Sequence, residues 1–414
     1  MSAMLSARVA RIPRELKLFT VAMMAMGVSY SLFDSIYNNY MNDRFALSGF
    51  ERSILEFPRE LPGFLVVFVS ALLWFLCSRR LGSLTMALGM VGALLIGFAS
   101  SSYALMLIWL FVYSMGQHMF MPLSSTIGME LAHEGHVGRR LGQLNALRNL
   151  AAIGGSLIVI VGFRYLNLTY EATFVLVAVG LGLAAYLMYS MERQQTQRPG
   201  RFLQLHREYR LYYLLAVLFG SRKQLFMTFA PWVLVTVYHQ PPETLATLLL
   251  IGGVIGILFQ PILGRAIDQL GERFVLASEA VLLVVVCLGY GFGGVLFSEH
   301  VAFLVACTCY LLDQMLMSVG MARSTYMKKI ARQPADIQPA LTAAVTIDHV
   351  FSISVALLGG LVWSVYGYQY VFFMGMVIAA VNFVVALQVR IPPATELPAL
   401  QELAAPRAEP RPAG

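Results

Sequence analysis

The chain has 414 residues, of which 58% are hydrophobic and only 12% charged, with a formal net charge of +7. An average soluble protein is about 25% charged, and a soluble fold of this length has no polar cover for so much apolar surface. That excludes a soluble globular protein. It also excludes a nucleic-acid binder, because no segment between the apolar runs is long enough to form a basic domain.

Apolar runs of about 20 residues, enough to cross about 30 Å of hydrocarbon as a helix, recur along the chain. Twelve are read, at 16–41, 51–76, 82–100, 103–132, 141–163, 170–191, 211–238, 244–266, 275–297, 301–327, 340–364 and 371–390. They predict an all-α polytopic membrane protein. Residues 1–15 form a cytoplasmic N-terminal segment, 16–191 a first set of six helices and 211–390 a second. Between the sets lies the polar central loop 192–210, ERQQTQRPGRFLQLHREYR. The Pro- and Ala-rich tail, 391–414, is expected to be disordered. The first run is too long for a cleaved signal peptide.

An even number of crossings puts both ends on one side. Most of the 29 Lys and Arg residues fall in the segments on that side, leaving Arg44, Arg52 and Arg164 opposite. Basic loops stay cytoplasmic, so both termini are placed in the cytoplasm and the protein in the plasma (cell inner) membrane. The net charge then reads as topology and contact with anionic lipid headgroups. Cys77, Cys287, Cys307 and Cys309 lie in or at the ends of helices and suggest neither a disulfide framework nor a zinc site. No cofactor or metal is expected, and the chain is taken as a monomer.

In chain order, the first span carries Tyr30, Asp34, Tyr37, Asn38 and Met41 on one face, at steps of three and four. A lone ionised Asp facing lipid would cost about 2.5–3.5 kcal/mol, so this stripe reads as a wetted cavity wall. The second span opens ERSILEFPRELPGF, with Glu56, Arg59 and Glu60 close together. Glu56 and Arg59 are a self-neutralising pair or part of a pathway, and both readings stay open. Pro58 and Pro62 predict a deformed helix there. The fourth span has Gln117-His118 and the fifth Arg148-Asn149.

The seventh span carries Arg222, Lys223 and Gln224 without a carboxylate nearby in sequence. These cations need an anion from another helix or from a ligand, and Asp34 is the expected protein partner. The tenth has Asp313-Gln314 and the eleventh Asp348-His349. Asp34, Asp313, Asp348 and His349 are the proton-coupling candidates, because a carboxylate at membrane depth resists ionisation and an imidazole relays protons. A structural pairing of Asp348 with Arg148 or Arg323 is the alternative. His118 and His349 stand on separate helices and are read as isolated. Glu130, Glu279 and Arg323 are read as gate or anchor residues.

The halves echo each other. GVSYSLF (27–33) aligns with GSRKQLF (220–226), and the fifth and eleventh spans reach Gly154-Gly155 and Gly359-Gly360. Parallel repeats of six helices around a midplane site describe one class of secondary transporter. Between the eighth and ninth spans stands GRAIDQLGERF, 264–274. Gly264, Asp268, Gly271 and Arg273 match the loop signature Gly-x3-Asp-x2-Gly-x-basic, and over residues 16–390 the chain resembles the major facilitator superfamily. Two features depart from the family's pattern. The loop LCSRRLGS after the second span has no acidic residue, and the double glycine of the fifth span lacks a following proline.

The resemblance implies two pseudo-symmetric six-helix bundles, a cavity lined by the first helix, and alternating-access transport of a small-molecule solute. It also implies that Asp268 meets the start of the fifth helix near Arg139 and Arg140 in one access state, where free N–H groups attract a carboxylate. The chain has no nucleotide-binding loop. A proton gradient is therefore the expected driver, with sodium coupling and uniport open. Arg222 and Lys223 favour an anionic or zwitterionic substrate unless the protein neutralises them, and a drug-like compound is also open. Tyr30, Asp34, Tyr37, Asn38, Arg59, Glu60, Gln117, Arg222, Lys223 and Gln314 are the expected substrate and ion pathway. The rivals are a receptor or scaffold without transport and a membrane-embedded enzyme. The chain has neither an H-E-x-x-H motif nor a nucleophile elbow, so an enzyme is not expected.

Overall fold

The computed structural model describes residues 13–132, 137–193, 206–332 and 334–391, and every regular element among them is helical. The first half comprises α1 (Arg14–Phe45), α2 (Gly49–Ile54), α3 (Glu56–Leu72), α4 (Ser78–Phe98), α5 (Tyr103–Glu130), α6 (Val137–Tyr165) and α7 (Tyr170–Tyr189). A 3-10 turn at Arg207–Tyr209 leads into α8 (Arg210–Thr236). There follow α9 (Pro242–Leu296), α10 (Glu299–Met317), α11 (Gly320–Ile330), α12 (Pro334–Tyr366) and α13 (Tyr368–Ala386).

Local chemistry turns these helices into twelve crossings. The 55 residues of α9 form two spans because Gly271 leaves the helical region at φ 80°, ψ 161°. A side chain at that φ would be strained, which gives the motif glycine its reason. The second crossing is split into α2 and α3. Ser48 and Glu51 cap α2 reciprocally, and Pro58 has no N–H to donate to Ile54. The tenth crossing breaks at Ser318 and Val319, between α10 and α11. Nine helical stretches are both long and apolar enough to cross a membrane, α9 counting once. The two crossings outside that set, α2–α3 and α8, carry Arg52, Glu56, Arg59 and Glu60 and Arg222 and Lys223 respectively.

Each half has its own apolar core. Phe19, Met23, Phe33, Ile36 and Phe174 centre the first, while Leu215, Phe226, Phe229, Leu276 and Phe372 centre the second. The first core also takes in Trp232 from α8 and Ala246 from α9. Both borrowed residues lie toward the face opposite the chain ends, the far side, and there the halves press together. Asn39 donates to the Gln240 carbonyl at 2.7 Å, and the Arg52 guanidinium stands 5.5 Å from the centre of the Tyr37 ring and 5.7 Å from that of Trp232. The outer surface exposes Val179, Val285 and Val295, as expected where lipid tails are the solvent.

The internal repeat is visible in helix packing. A Cβ on Gly155 would fall 2.7 Å from the Val28 carbonyl oxygen of α1, and one on Gly359 2.6 Å from the Phe229 ring of α8. The fifth crossing therefore presses on the first as the eleventh presses on the seventh. Gly154, by contrast, faces open space. Gly155→Val should destabilise the protein by about 1–3 kcal/mol through overpacking, while Gly154→Ala stays close to wild type. Melting of the detergent-solubilised protein checks this, and equal midpoints for the two variants would contradict the packing described.

Candidate functional site

At mid-depth, three groups of charge are buried. In the first, Arg52 of α2 donates to Glu56 at 2.6 Å and to the Asn38 side-chain oxygen at 3.1 Å. Arg59 reaches the same Glu56 at 3.3 Å, so the expected Glu56–Arg59 pair forms but is part of a larger set. Gln224 of α8 donates to the other Glu56 oxygen at 2.8 Å and ties it to the second half.

The second group overturns an expectation. Arg222 and Lys223 do not pair with Asp34. Arg222 donates to Asp313 at 2.5 Å and to Glu279 at 3.1 Å, and Lys223 to Asp348 at 2.8 Å. Adjacent residues on a helix diverge by about 100°, so the two cations leave α8 in different directions and meet different helices. Arg323 completes the set, bonding Glu279 at 3.1 Å with its guanidinium 3.6 Å from the centre of the Phe219 ring. Of the two readings of Glu279 and Arg323, gate or anchor, the buried pairing matches an anchor, and Asp348 pairs with Lys223 instead of Arg148 or Arg323. Gly220 makes room for the Asp348 carboxylate, which occupies the space where its Cβ would stand.

The third group joins the halves. His349 Nδ1 lies 2.8 Å from Glu60 Oε2, and the His118 and His349 rings meet edge to face at 5.1 Å. The two histidines are therefore not isolated. Helix separation in sequence gave no sign of this contact between the fourth and eleventh crossings.

Beside these groups lies a cavity of about 370 Å³ lined by Tyr30, Asp34, Arg148, Asn149, Gln260 and Gln314 among others. A second lobe of about 230 Å³ shares Asp34 and Gln314 and adds Tyr37, Asn38, Arg59 and Asp313. The lining runs from Tyr37 and Asn38, near the far side, to Gln260, near the face that carries the chain ends. Asp34 is exposed to this space and has no hydrogen-bond or ion-pair partner among the described residues. Its fellow stripe residues Tyr30, Tyr37 and Asn38 share the wall with it. Gln117 is half-buried and lies outside the lining. Arg148, Asn149 and Gln260 are lining residues for which the sequence offered little beyond their polarity inside apolar runs.

At the chain-end face, the motif residues Asp268 and Arg273 are exposed and Gly264 faces open space. Arg140 bonds Gln143 at 3.3 Å, and the rest of the helix start expected to meet Asp268 lies largely outside the described residues. The side chain of Arg139 lies outside the described residues. On the same face Tyr209 donates to Asp336 at 2.6 Å, and burial, reinforced by that carboxylate, pushes its hydroxyl up to about 12.

The sequence profile of the Major Facilitator Superfamily matches residues 18–347. No curated protein matches the sequence. Among solved structures, the nucleoside transporter NupG superposes with a TM-score of 0.70 at 11% identity, over 93% of this chain and 98% of that one. The xylose transporter XylE from E. coli gives 0.68 at 15% identity, over 94% and 98%. An inward-facing bacterial homologue of the human lysosomal transporter Spinster gives 0.70 at 12% identity, over 92% and 99%.

The buried groups and the cavity residue should respond differently to neutralisation. Glu279→Gln leaves two buried guanidinium groups short of a counter-charge and should cost about 3–5 kcal/mol, whereas Asp34→Asn removes a charge that faces the cavity and should leave stability near wild type. Thermal melting of the two purified variants tests the contrast.

Proposed function

The chain belongs to the major facilitator superfamily, and on that premise we propose a proton-coupled carrier of a small zwitterionic or anionic solute that binds at Asp34. It is a multi-pass membrane transporter rather than an enzyme. One observation carries the finer reading: among the described residues, Asp34 is a carboxylate at membrane depth that is open to the cavity and has no hydrogen-bond or ion-pair partner, while the other acidic residues at that depth are tied to cations, amides or imidazole.

An anionic substrate does not follow from Arg222 and Lys223, because Asp313, Glu279 and Asp348 neutralise both. The cations that do line the cavity are Arg59 and Arg148. With Asp313 held by Arg222 and Arg59 held in part by Glu56, Asp34 and Arg148 are the lining charges left without an ion-pair partner among the described residues, with tyrosine hydroxyls and the amides of Asn38, Asn149 and Gln314 beside them. A solute carrying a carboxylate and an amine meets a counter-charge at each end. Asp34 can also take up a proton without breaking an ion pair, which Asp313 and Asp348 cannot. This moves the coupling role toward Asp34. A D-xylose-proton symporter of the same fold, 14% identical with a TM-score of 0.68, is consistent with that driver.

The positive-inside rule places both chain ends in the cytoplasm, so the conformation described is closed outside and opens inward. Gln224–Glu56 and Asn39–Gln240 then belong to the outer closure, and the exposed Asp268 belongs to the parted cytoplasmic side. In this reading the contact between Asp268 and the fifth crossing forms when the inner side shuts.

A thermal-shift screen of small metabolites against the purified protein supplies the solute, and flux in proteoliposomes under an imposed pH gradient tests the coupling. Asp34→Asn should abolish gradient-driven accumulation while the protein remains folded. Accumulation at the wild-type rate in that variant would remove Asp34 from the mechanism.

A further inference from the structure

The seam between the halves holds a donor set that neither transport nor the charge framework uses in full. Glu60 of α3, His118 of α5 and His349 of α12 are all buried, and one ligand atom from each lies within 4.8 Å of the others. From this geometry we infer that the three side chains form a binding site for a borderline transition-metal dication of the Zn²⁺ type, built from both halves. Binding itself does not depend on the transport reading.

The ring nitrogens are already sorted for that task. His118 Nδ1 lies 3.1 Å from the Ser114 carbonyl oxygen and 3.0 Å from the Ser114 hydroxyl oxygen. A carbonyl only accepts, so Nδ1 carries the proton and the lone pair stands on Nε2. A histidine that donates one N–H to a backbone carbonyl and keeps its other nitrogen free is the usual arrangement around a bound metal, because the donated bond fixes tautomer and ring orientation. The Ser114 hydroxyl in turn donates to the Arg59 carbonyl, so this outer support is anchored to the helix that carries Glu60.

His349 is sorted the other way. A Cβ on Gly63 would fall 2.6 Å from its Nε2, so that edge of the ring is packed against α3. Nδ1 is the nitrogen left to act, 2.8 Å from Glu60 Oε2. Two ligands of one tetrahedral Zn²⁺, with bonds of about 2.0–2.1 Å, stand roughly 3.3 Å apart. The Glu60–His349 pair is already near that spacing, and a dication binding at Nδ1 displaces one proton from the imidazolium–carboxylate form of the pair into solvent, leaving a neutral ring protonated on Nε2. The His118 ligand nitrogen lies within 4.8 Å of the other two, so it has to close by at most about 1.5 Å to reach that spacing. The nearby cations do not oppose the ion unchecked. Arg59 is paired with Glu56 at 3.3 Å and Lys223 with Asp348 at 2.8 Å.

Two histidines and one carboxylate leave a fourth position open, as in sites that exchange a ligand. Because Glu60 and His118 belong to one half and His349 to the other, an ion held here also pins the halves in the conformation described. That consequence, unlike the binding, rests on the transporter reading.

The test is equilibrium dialysis of the purified full-length protein against Zn²⁺, with Co²⁺ as a spectroscopic substitute that reports coordination by its absorption. One ion per chain is expected. His118→Ala and His349→Ala should each weaken binding by about tenfold or more. His118→Gln and His349→Gln, which keep side-chain volume and polarity, serve where the alanine variants fail to fold. No stoichiometric binding by wild type overturns the site. So does an ion retained at wild-type affinity by both variants, since it would then sit on the other five of the seven histidines. Zinc binding is read without any transported solute, so failure of the Asp34 flux experiment leaves this result standing, and the converse holds too.

Discussion

A charge placed where water cannot reach must find its opposite within a few ångströms, or the protein loses several kcal/mol per ion. The interior of this molecule is organised by that requirement. Arg222 is held by two carboxylates from different crossings, one of which, Glu279, also holds Arg323. Four helices, α8, α9, α10 and α11, are thereby fixed to one another at mid-depth by side chains that cannot leave singly. In the first half Glu56 plays the corresponding part between Arg52 and Arg59. The helices around these knots are otherwise apolar, and lipid gives them no hydrophobic reason to associate. Polar pairing and close packing at small residues such as Gly155 and Gly359 supply the specificity that water-driven burial supplies in soluble proteins.

Against that background Asp34 is an exception. It sits on the first crossing, the repeat counterpart of the seventh that carries Arg222 and its neighbours, yet the two halves treat their charges differently. The second half has closed its charges into a network, whereas the first leaves one carboxylate facing the cavity. Under the proposed carrier reading, the asymmetry separates two tasks. One half carries the framework that keeps its shape during a movement, and the other presents a group free to change partners. Such a division is expected of a binding site, where the group that meets the ligand is left unsatisfied by the protein.

The architecture was readable from the sequence because it depends on composition and period. Twelve apolar runs, a central polar loop and one motif with a glycine that must adopt a positive φ are properties of the chain itself. The stripe Tyr30, Asp34, Tyr37, Asn38 was readable for the same reason, since residues three and four apart share a helical face whatever lies opposite. Partner choice was not. Adjacent Arg222 and Lys223 have no acidic residue nearby in the chain, and which of several distant carboxylates they meet depends on helix rotation and crossing angle. The pairing of His349 with Glu60 joins residues from opposite halves and left no mark in local sequence. One faint signal existed. Glu279 lies two turns beyond the break at Gly271, deeper than a loop residue, and its depth argues for burial.

The Arg and Lys ion pairs of the framework remain inside one half or the other, and apart from the His349–Glu60 contact the described side-chain bonds that bridge the seam are of a milder kind. Gln224 offers Glu56 a neutral amide, and Asn39 offers one to a backbone carbonyl. Surrendering either of these two bonds costs about 0.5–1.5 kcal/mol, or up to about 3 where one partner is ionised, and Glu56 keeps Arg52 and Arg59 when Gln224 lets go. The joint can therefore part and re-form on thermal energy plus a modest push from ligand binding, with each bundle travelling as an intact body. Strong fastening within the plates and weak fastening between them is what makes the molecule a hinge instead of a block.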